Sequence, residues 1–296
     1  MSEQNEADQT AIVLPGPQEP LTPRTDVFEG TSLPFVQRTA LIAGNWKMNF
    51  DHLQAIAHVQ KISWALKDAK HDFKTVEVAV FPPFTDLRSV QTLLSADRLP
   101  LALGAQDVSV HEPGAYTGDI AAAFLSKLES RYVIVGHSER RQGHAESDDL
   151  VGSKAAVVAK AGMIPVICVG ETADDLEAHG AAAVPLQQLE AALANLPEGA
   201  GFVVAYEPVW AIGSGEAATP EQAQEVCRVL RLQIAALRGE DVATATRVLY
   251  GGSVTSQNIA SFMRQPDVDG ALVGGASLQA DEFTRIVRYR DHVTAS

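Results

Sequence analysis

Eight short apolar segments divide the chain into a regular series, and this pattern constrains the possible fold more than any other feature. Each segment is continuously apolar and ends at glycine, proline or polar residues. The segments begin at Thr39, Val76, Leu101, Tyr132, Ile164, Phe202, Arg247 and Gly270. Such runs are typical of parallel strands buried on both faces, and the spacing leaves room for a helix after each strand. The sequence therefore predicts an α/β protein with a (β/α)8 barrel.

The segment 219–239 shows most clearly the helical pattern that separates the strands. Thr219 is a favourable N-cap, Pro220 suits the first helical position, and Gln222 completes a capping box. Apolar residues then recur at helical spacing, and Gly239 can adopt the left-handed conformation that ends a helix. We therefore predict a helix that begins at Pro220 and stops at Gly239.

The first part of the chain differs in composition from the rest. Residues 1–38 are rich in proline, glutamate, glutamine and threonine, and they show no sustained period. Segments of this kind bury too little apolar surface to offset the entropy lost on ordering. We predict that residues 1–38 form a disordered or loosely packed extension and that residues 39–296 form a single (β/α)8 barrel catalytic domain.

Charge, hydropathy and cysteine content restrict the partners and the compartment. The formal net charge of −14 argues against nucleic acid as a partner, because phosphate backbones attract basic surfaces. No apolar stretch approaches the roughly 18 residues of a membrane-spanning helix. Cys168 and Cys227 lie in apolar segments and do not suggest a disulfide framework. These features predict a cytoplasmic protein with reduced, buried thiols that binds neither nucleic acid nor membranes.

Candidate catalytic residues follow the predicted strands, because (β/α)8 barrels place their active sites at the carboxyl ends of the strands. The polar and glycine residues at these ends are Asn45, Lys47, Gln106, Asp107, His137, Glu139, Glu171, Glu207, Ser253, Gly274 and Gly275. Taken singly, an acid here can cap a loop and a histidine can be structural. Because the fold brings an acid, an imidazole, an ammonium group and glycine-rich turns to one rim, we expect a catalytic site there.

The loops after the last two strands point to the chemistry of the substrate. They read YGGSVT and VGGASL, and small residues let backbone N–H groups approach an anion closely. Barrels often bind phosphate with these two loops. The sequence lacks zinc-ligand spacing and a nucleophile elbow, so we expect no metal and no other cofactor. A base, an electrophile and a cation are enough to move a proton beside a carbonyl group.

At these residues the chain resembles the triosephosphate isomerase family. The matching motifs are AGNWKMN, GAQDV, GAYTGDI, VGHSERR, PVICVGE, AYEPVWAIGSG, LYGGSV and DGALVGGAS, in family order from about Thr39 onward. The resemblance implies interconversion of dihydroxyacetone phosphate and D-glyceraldehyde 3-phosphate, a step of glycolysis and gluconeogenesis. It implies that Glu207 is the base, that His137 is the electrophile, and that Lys47 stabilises the negative charge of an enediolate.

The same resemblance assigns substrate-binding positions and a mobile lid. It implies that Asn45, Lys47, Gly213, Ser253, Gly274 and Gly275 bind the substrate, with the glycines and the serine holding its phosphate. Residues 208–212 correspond to the lid of the family, although Ser214 and Glu216 depart from the common pattern. In the family the electrophilic imidazole is kept neutral by a helix N-terminus. We therefore expect a helix capped by Ser138 and a lowered pKa for His137.

The segment HEPGAYTGDI resembles the loop through which members of the family form dimers. The resemblance implies a homodimer in which Thr117 reaches the partner's active site near Asn45 and His137. Two other functions stay open at this stage. A Schiff-base aldolase would use Lys47 as its nucleophile, and a non-catalytic barrel would serve as a scaffold. The intact set of Asn45, Lys47, His137 and Glu207 argues against the scaffold.

Overall fold

The structure is a computed structural model that describes residues 28, 31, 33, 34, 36–211 and 217–292. Residues 1–27, 29, 30, 32 and 35 of the predicted extension, together with residues 212–216 and 293–296, lie outside this description. The substrate-binding assignment of Gly213 therefore stays a prediction, as does the prediction of a disordered extension. Within the described part of the chain, no helix is both long enough and apolar enough to cross a membrane.

Eight parallel strands form a closed barrel in sequence order, which confirms the predicted fold. β1 and β8 are hydrogen-bonded neighbours, so the sheet has no free edge. The strands are β1 Ala40–Asn45, β2 Val76–Phe81, β3 Ala102–Ala105, β4 Tyr132–Val135, β5 Ile164–Val169, β6 Val203–Tyr206, β7 Arg247–Tyr250 and β8 Gly270–Val273. Each strand begins within one residue of the start of its apolar segment.

Helices cover the outer face of the barrel in the described part of the chain. They are α1 His52–Asp68, α2 Leu87–Ala96, α3 Ala122–Lys127, α4 Ser138–Gly143, α5 Asp148–Lys160, α6 Ala173–His179, α7 Ala183–Asn195, α8 Pro220–Arg238, α9 Glu240–Ala245, α10 Ile259–Phe262, α11 Ala280–Val287 and α12 Tyr289–His292. Two short 3-10 helices span Val209–Ala211 and Gly275–Leu278. In α8 the capping box of Thr219 with Gln222 and the terminal Gly239, at φ 94°, confirm the sequence interpretation.

Two hydrophobic clusters explain why the strand segments are apolar throughout. Alternate residues such as Leu41 and Ala43 of β1 point into the barrel and pack against residues from the other strands. Their neighbours Ala40 and Ile42 join the larger cluster that lies between strands and helices. Because both faces of each strand are buried, polar side chains are restricted to the strand ends, where the barrel opens to solvent.

The barrel also makes contacts with the chain that precedes β1. Phe28 and Leu33 pack against the outer cluster. The Arg228 guanidinium on α8 donates hydrogen bonds to the carbonyl oxygens of Phe28 and Thr31, at 3.1 and 2.5 Å. Part of the predicted extension therefore rests on the barrel, and the domain boundary at residue 38 stays a prediction.

Candidate active site

A pocket of about 300 Å³ lies at the carboxyl ends of the strands, where the sequence predicted the site. It brings together residues from the ends of five strands and from the loops that follow them. The predicted site residues that line it are Asn45, Lys47, His137, Glu207, Ser253, Gly274 and Gly275. The described residues to which the family resemblance assigns a role thus share one pocket, whereas the other strand-end candidates, Gln106, Asp107, Glu139 and Glu171, do not line it.

Glu207 follows the last residue of β6 and is almost completely buried. Its Oε1 lies 3.0 Å from Nε2 of His137, and its Oε2 accepts a 2.9 Å hydrogen bond from the backbone N–H of Ser138. Burial raises the pKa of Glu207, but His137 and the Ser138 N–H outweigh burial, so the pKa is lowered overall. The carboxylate is therefore ionised near neutral pH and can act as a base.

The backbone around Glu207 leaves no room for side chains on two neighbouring glycines. A Cβ atom on Gly170 would lie 1.8 Å from the carbonyl oxygen of Glu207. A Cβ atom on Gly251 would lie 2.9 Å from Cγ of Glu207. Because both glycines allow close approach of the flanking strand ends, they fix the position from which the carboxylate projects.

His137 is the N-cap of α4, so the expectation that Ser138 would cap this helix was wrong. The helix begins at Ser138 itself, and the preceding imidazole takes the capping role. Nδ1 of His137 accepts a 3.2 Å hydrogen bond from the backbone N–H of Glu139. An Nδ1 atom that accepts this bond carries no proton, so the proton of the neutral ring is on Nε2, the nitrogen that faces Glu207.

The pKa of His137 is not lowered in this arrangement, contrary to the expectation from the family. Burial lowers the pKa of His137. The negative charges of Glu207 and Glu139 raise it, and together they outweigh burial, so the pKa is raised overall. The Glu139 N–H opposes a second proton on the ring because that proton would have to occupy Nδ1. The raised pKa therefore depends chiefly on Glu207, through its charge and its hydrogen bond, and would fall if a neutral acceptor replaced Glu207 at Nε2.

Lys47 occupies a strained backbone position at the mouth of the pocket. Its φ is 53°, a value uncommon for a residue with a side chain. The Asn45 side chain accepts a 3.0 Å hydrogen bond from the Lys47 N–H, and Gln106 donates one of 2.7 Å to the Lys47 carbonyl. The ammonium group lies 2.5 Å from Oε1 of Glu139. These contacts hold Lys47 in its unusual conformation and aim its charge across the pocket.

Gln106 and Glu139 were recognised in the sequence only as strand-end residues, without specific roles. Gln106 also donates a 2.8 Å hydrogen bond to the carbonyl of Phe81, and thus joins the ends of β1, β2 and β3. The sequence signal that could have pointed to a role for Gln106 was its place in the GAQDV motif. Glu139 forms an ion pair with Lys47, and the available signal for it was its place two residues after His137 in the VGHSERR motif.

Glu171, which follows β5, connects the barrel to the start of the predicted lid. The buried carboxylate accepts hydrogen bonds from the Tyr206 hydroxyl at 2.8 Å and from Nε1 of Trp210 at 2.7 Å. Its other oxygen, Oε2, has no hydrogen-bond partner among the described residues. Burial is the largest influence and raises the pKa of Glu171 to about 7.

This raised pKa predicts a pH dependence of stability that Glu171→Gln should remove. The folded protein binds a proton at Glu171 between pH 4.5 and about 7, whereas the unfolded chain has already released it. The free energy of unfolding should therefore fall as pH rises through this window, by on the order of 3 kcal/mol. Urea denaturation at pH 5 and pH 7.5 measures the fall in the wild type and its reduction in Glu171→Gln. Glu177→Gln, on the exposed part of α6, is the matched control, and equal pH dependence in all three proteins would contradict the prediction.

Fold and site together define a (β/α)8-barrel enzyme whose pocket holds an ionised carboxylate, an imidazole and an ammonium group. A profile of the family described as triosephosphate isomerase matches residues 40–290. The triosephosphate isomerase of Leifsonia xyli subsp. xyli is 66% identical over 258 residues, which are 87% of this chain and 100% of the relative. That of Streptomyces coelicolor is 54% identical over 256 residues, 86% of this chain and 98% of the relative. That of Mycobacterium tuberculosis is 52% identical over 253 residues, which are 85% of this chain and 96% of the relative. The chain therefore belongs to the triosephosphate isomerase family.

Proposed function

We propose that the protein interconverts dihydroxyacetone phosphate and D-glyceraldehyde 3-phosphate by proton transfer through an enediolate. The observation that carries this proposal is the 3.0 Å contact between Glu207 and Nε2 of His137, inside a pocket that Lys47 also lines. Membership of the family supports the same reaction. A coupled assay that consumes one triose phosphate while the other is supplied tests it directly. Absence of turnover by the purified, folded protein would overturn the proposal.

Glu207 is the base in this mechanism. Its carboxylate is buried at the end of a rigid strand and is ionised, so it can take a proton from one carbon and return it to the next. The Ser138 N–H binds Oε2 and leaves Oε1 facing His137 across the pocket. Oε1 and Nε2 are in direct contact at 3.0 Å, so bound substrate must separate them, with the base then on one side of its carbons and the hydrogen-bond donor on the other.

His137 is the electrophile that polarises the carbonyl oxygen of the substrate. Nε2 carries the ring proton because Nδ1 accepts the Glu139 N–H. When a carbonyl oxygen replaces Glu207 as the partner of Nε2, the hydrogen bond with Glu207 that helps to raise the His137 pKa is lost, and the Glu139 N–H still blocks a proton on Nδ1. The neutral imidazole then donates a hydrogen bond from Nε2 to the substrate oxygen. Its acidity as a donor is suited to the negative charge that develops on this oxygen in the enediolate.

Lys47 supplies the positive charge that stabilises the enediolate, and Asn45 supports the Lys47 backbone. The phosphate of the substrate binds where Ser253, Gly274 and Gly275 line the pocket, since small residues let backbone N–H groups approach an anion closely. Gly213, outside the described residues, would contact the phosphate when the lid closes over it. A closed lid excludes water and strengthens each of these electrostatic interactions.

A Schiff-base aldolase that uses Lys47 is less compatible with this site. Such a lysine needs a lowered pKa and a free amine, whereas the Lys47 ammonium group makes a 2.5 Å ion pair with Glu139. A non-catalytic scaffold would not require the buried contact between the Glu207 carboxylate and the His137 imidazole. We place the reaction in glycolysis and gluconeogenesis in the cytoplasm, since the sequence predicts a reducing compartment and the family catalyses this step.

We further propose that the protein is a homodimer through the loop around Thr117. Large apolar side chains are exposed on the rim that carries the active site: Met48 is 96% exposed and Tyr116 is 47% exposed. The loop is ordered within the protomer, since the His111 and Tyr116 rings stack at 3.7 Å and Ser109 donates to Asp119 at 2.6 Å. Burial of Met48 by a partner would also shield the neighbouring Lys47 from water.

Loss of this loop should separate the protomers and weaken catalysis. Replacing Ala115–Asp119 with a short glycine-rich turn removes Thr117, which supports Asn45 and His137 of the other protomer in the proposed dimer. We expect a folded monomer with kcat lowered by about 10²-fold, because small displacements of catalytic groups have effects of this size. Sedimentation velocity gives the oligomeric state and a coupled assay gives kcat.

A point variant separates loss of the interface from damage to the loop. Met48→Glu places a charge on the proposed interface without altering the loop and should also yield monomers. Trp64→Glu is the matched control, since Trp64 on α1 is 60% exposed and lies outside the rim loops. If Met48→Glu and the loop variant both sediment as dimers, the interface assignment is wrong.

A further inference from the structure

A second and larger cavity lies at the opposite end of the barrel. It is a cleft of about 1050 Å³ beside the amino ends of β2, β3, β4 and β7, against about 300 Å³ for the candidate active site. The amino-terminal face of a (β/α)8 barrel usually serves stability rather than catalysis. A cleft of this size is therefore not explained by the reaction proposed above.

Two arginines converge on one carboxylate in the wall of this cleft. Nη1 of Arg247 lies 2.6 Å from Oε2 of Glu77, and Nη1 of Arg131 lies 3.0 Å from Oε1. The Tyr132 hydroxyl donates to Oε1 of Glu77 at 2.9 Å and lies 2.6 Å from Nη2 of Arg247. Both guanidinium groups also lie within 6 Å of the Tyr132 ring, so their positions are well defined.

The contact of Arg131 adds little to the stability of this cluster. Glu77, Arg247 and Tyr132 already satisfy one another, and the Arg131 side chain is 57% exposed. An exposed arginine that shares an already paired carboxylate contributes little to folding. A guanidinium group has five N–H donors in a planar fork, and the single contact with Glu77 leaves most of those of Arg131 available to a ligand.

The balance of charge in the cleft is positive, in contrast with the rest of the protein. Lys74, Arg131 and Arg247 line it together with the carboxylates of Glu77 and Glu129. Arg38 also lines it, but its guanidinium is neutralised by Asp269 at 2.6 Å. The whole chain has a formal net charge of −14, so a cationic cleft is a local exception. An anion that approaches the protein would be attracted to this cleft.

Apolar side chains form part of the remaining wall of the cleft, beside the polar Thr39, Gln91 and Ser95. They come from the segment before β2, the ends of α2 and α3, and the start of β3: Phe73, Leu94, Leu99, Leu101, Leu103 and Leu128. Sites for small molecules typically combine such a wall with a few convergent polar groups. A bare inorganic ion would use the guanidinium donors alone and make no contact with these apolar side chains.

We propose that this cleft binds a small organic phosphate, separately from the candidate active site. The phosphate group accepts hydrogen bonds from the Arg131 N–H groups that the single contact with Glu77 leaves free, since a guanidinium fork matches phosphate oxygens. The organic part of the ligand packs against the leucine wall, and Lys74 at the exposed rim attracts the ligand electrostatically. The proposal is independent of the isomerase reaction, because no residue of the pocket at the other end takes part.

Isothermal titration calorimetry with adenosine 5′-monophosphate tests the proposal, with inorganic phosphate as a second probe. We expect the nucleotide to bind with a dissociation constant at or below about 1 mM, and inorganic phosphate to bind more weakly. Arg131→Ala should weaken nucleotide binding at least about ten-fold, as expected for loss of charged hydrogen bonds. Lys74→Ala should weaken it less while leaving the Arg131–Glu77 contact intact.

Two control variants separate this cleft from nonspecific attraction and from the active site. Arg264→Ala removes one exposed positive charge outside the cleft and should leave nucleotide binding unchanged. Lys47→Met alters the candidate active site and should also leave it unchanged. The proposal fails if the wild type does not bind the nucleotide, or if Arg131→Ala and Lys74→Ala bind it as well as the wild type. It also fails if Lys47→Met, rather than Arg131→Ala, abolishes binding.

Discussion

Replacing Glu207 with aspartate is expected to lower kcat by on the order of 10²-fold while KM changes only a few-fold. The substitution keeps the negative charge but removes one methylene group, so the carboxylate retreats by roughly 1 Å. In the structure the longer side chain reaches both the Ser138 N–H and Nε2 of His137, at 2.9 and 3.0 Å. The shorter side chain cannot keep both contacts, and the base then lies too far from the carbon whose proton it removes.

KM should change little because other elements bind the phosphate of the substrate. Ser253, Gly274 and Gly275 belong to the loops after β7 and β8, which do not contain Glu207. Steady-state kinetics in both directions gives kcat and KM. Exchange of solvent tritium into dihydroxyacetone phosphate reports proton abstraction directly and should fall in parallel with kcat.

Glu207→Gln is the matched control, since it keeps the length of the side chain and removes the charge. Glutamine cannot accept the proton, so this variant should lose more activity than Glu207→Asp. Near-normal kcat and exchange in either variant would mean that Glu207 is not the base, and the mechanism proposed here would be wrong.

Removing the charge of Lys47 is expected to have an effect of similar or greater size. Lys47→Met keeps an unbranched side chain over Gly274, where a Cβ would lie 3.3 Å from the lysine Cε. It removes the positive charge that stabilises the enediolate. We expect kcat/KM to fall about 10²- to 10³-fold, as for other groups that stabilise developing charge in a buried site. Steady-state kinetics measures the fall, and circular dichroism checks that the variant is folded.

Lys47→Arg distinguishes the proposed isomerase from the Schiff-base alternative. Arginine keeps the charge but cannot form an imine, so it should retain more activity than methionine in an isomerase and none in an aldolase of that kind. Treatment of the wild type with borohydride and dihydroxyacetone phosphate should leave its mass unchanged. A covalent adduct at Lys47, or equal activity in the methionine variant and the wild type, would contradict the role assigned to this residue.

The course of the chain through the barrel could be predicted from the sequence because its signals are local. Each strand appears as an apolar run that ends at glycine, proline or a polar residue, and the capping residues Thr219 and Gly239 mark the ends of α8. Burial on both faces of a parallel strand produces such runs whatever the rest of the chain does. The same argument placed Lys47, His137 and Glu207 at the strand ends, since polar groups are excluded from the strand interiors.

Contacts within the site could not be predicted in this way, because they depend on how distant segments meet. The Glu207–His137 contact and the hydrogen bond from Gln106 to the Lys47 carbonyl each join residues from different strands. The sequence offered Ser138 as a helix cap, but α4 begins at Ser138 itself, one residue earlier than that interpretation required, so His137 takes the capping position. The raised pKa of Glu171 likewise arises only when β6 and the lid enclose its carboxylate.

The sequence by itself determined the barrel, the rim that carries the chemistry and the types of group found there. Only the tertiary structure decided which groups touch, which of them are ionised, and that Arg131 and Arg247 face a second cleft at the other end. Strand and helix patterns reflect short-range preferences of neighbouring residues, which sequence alone records. Distances between side chains, and the pKa values that follow from them, are set by barrel closure and by the packing of residues far apart in the chain.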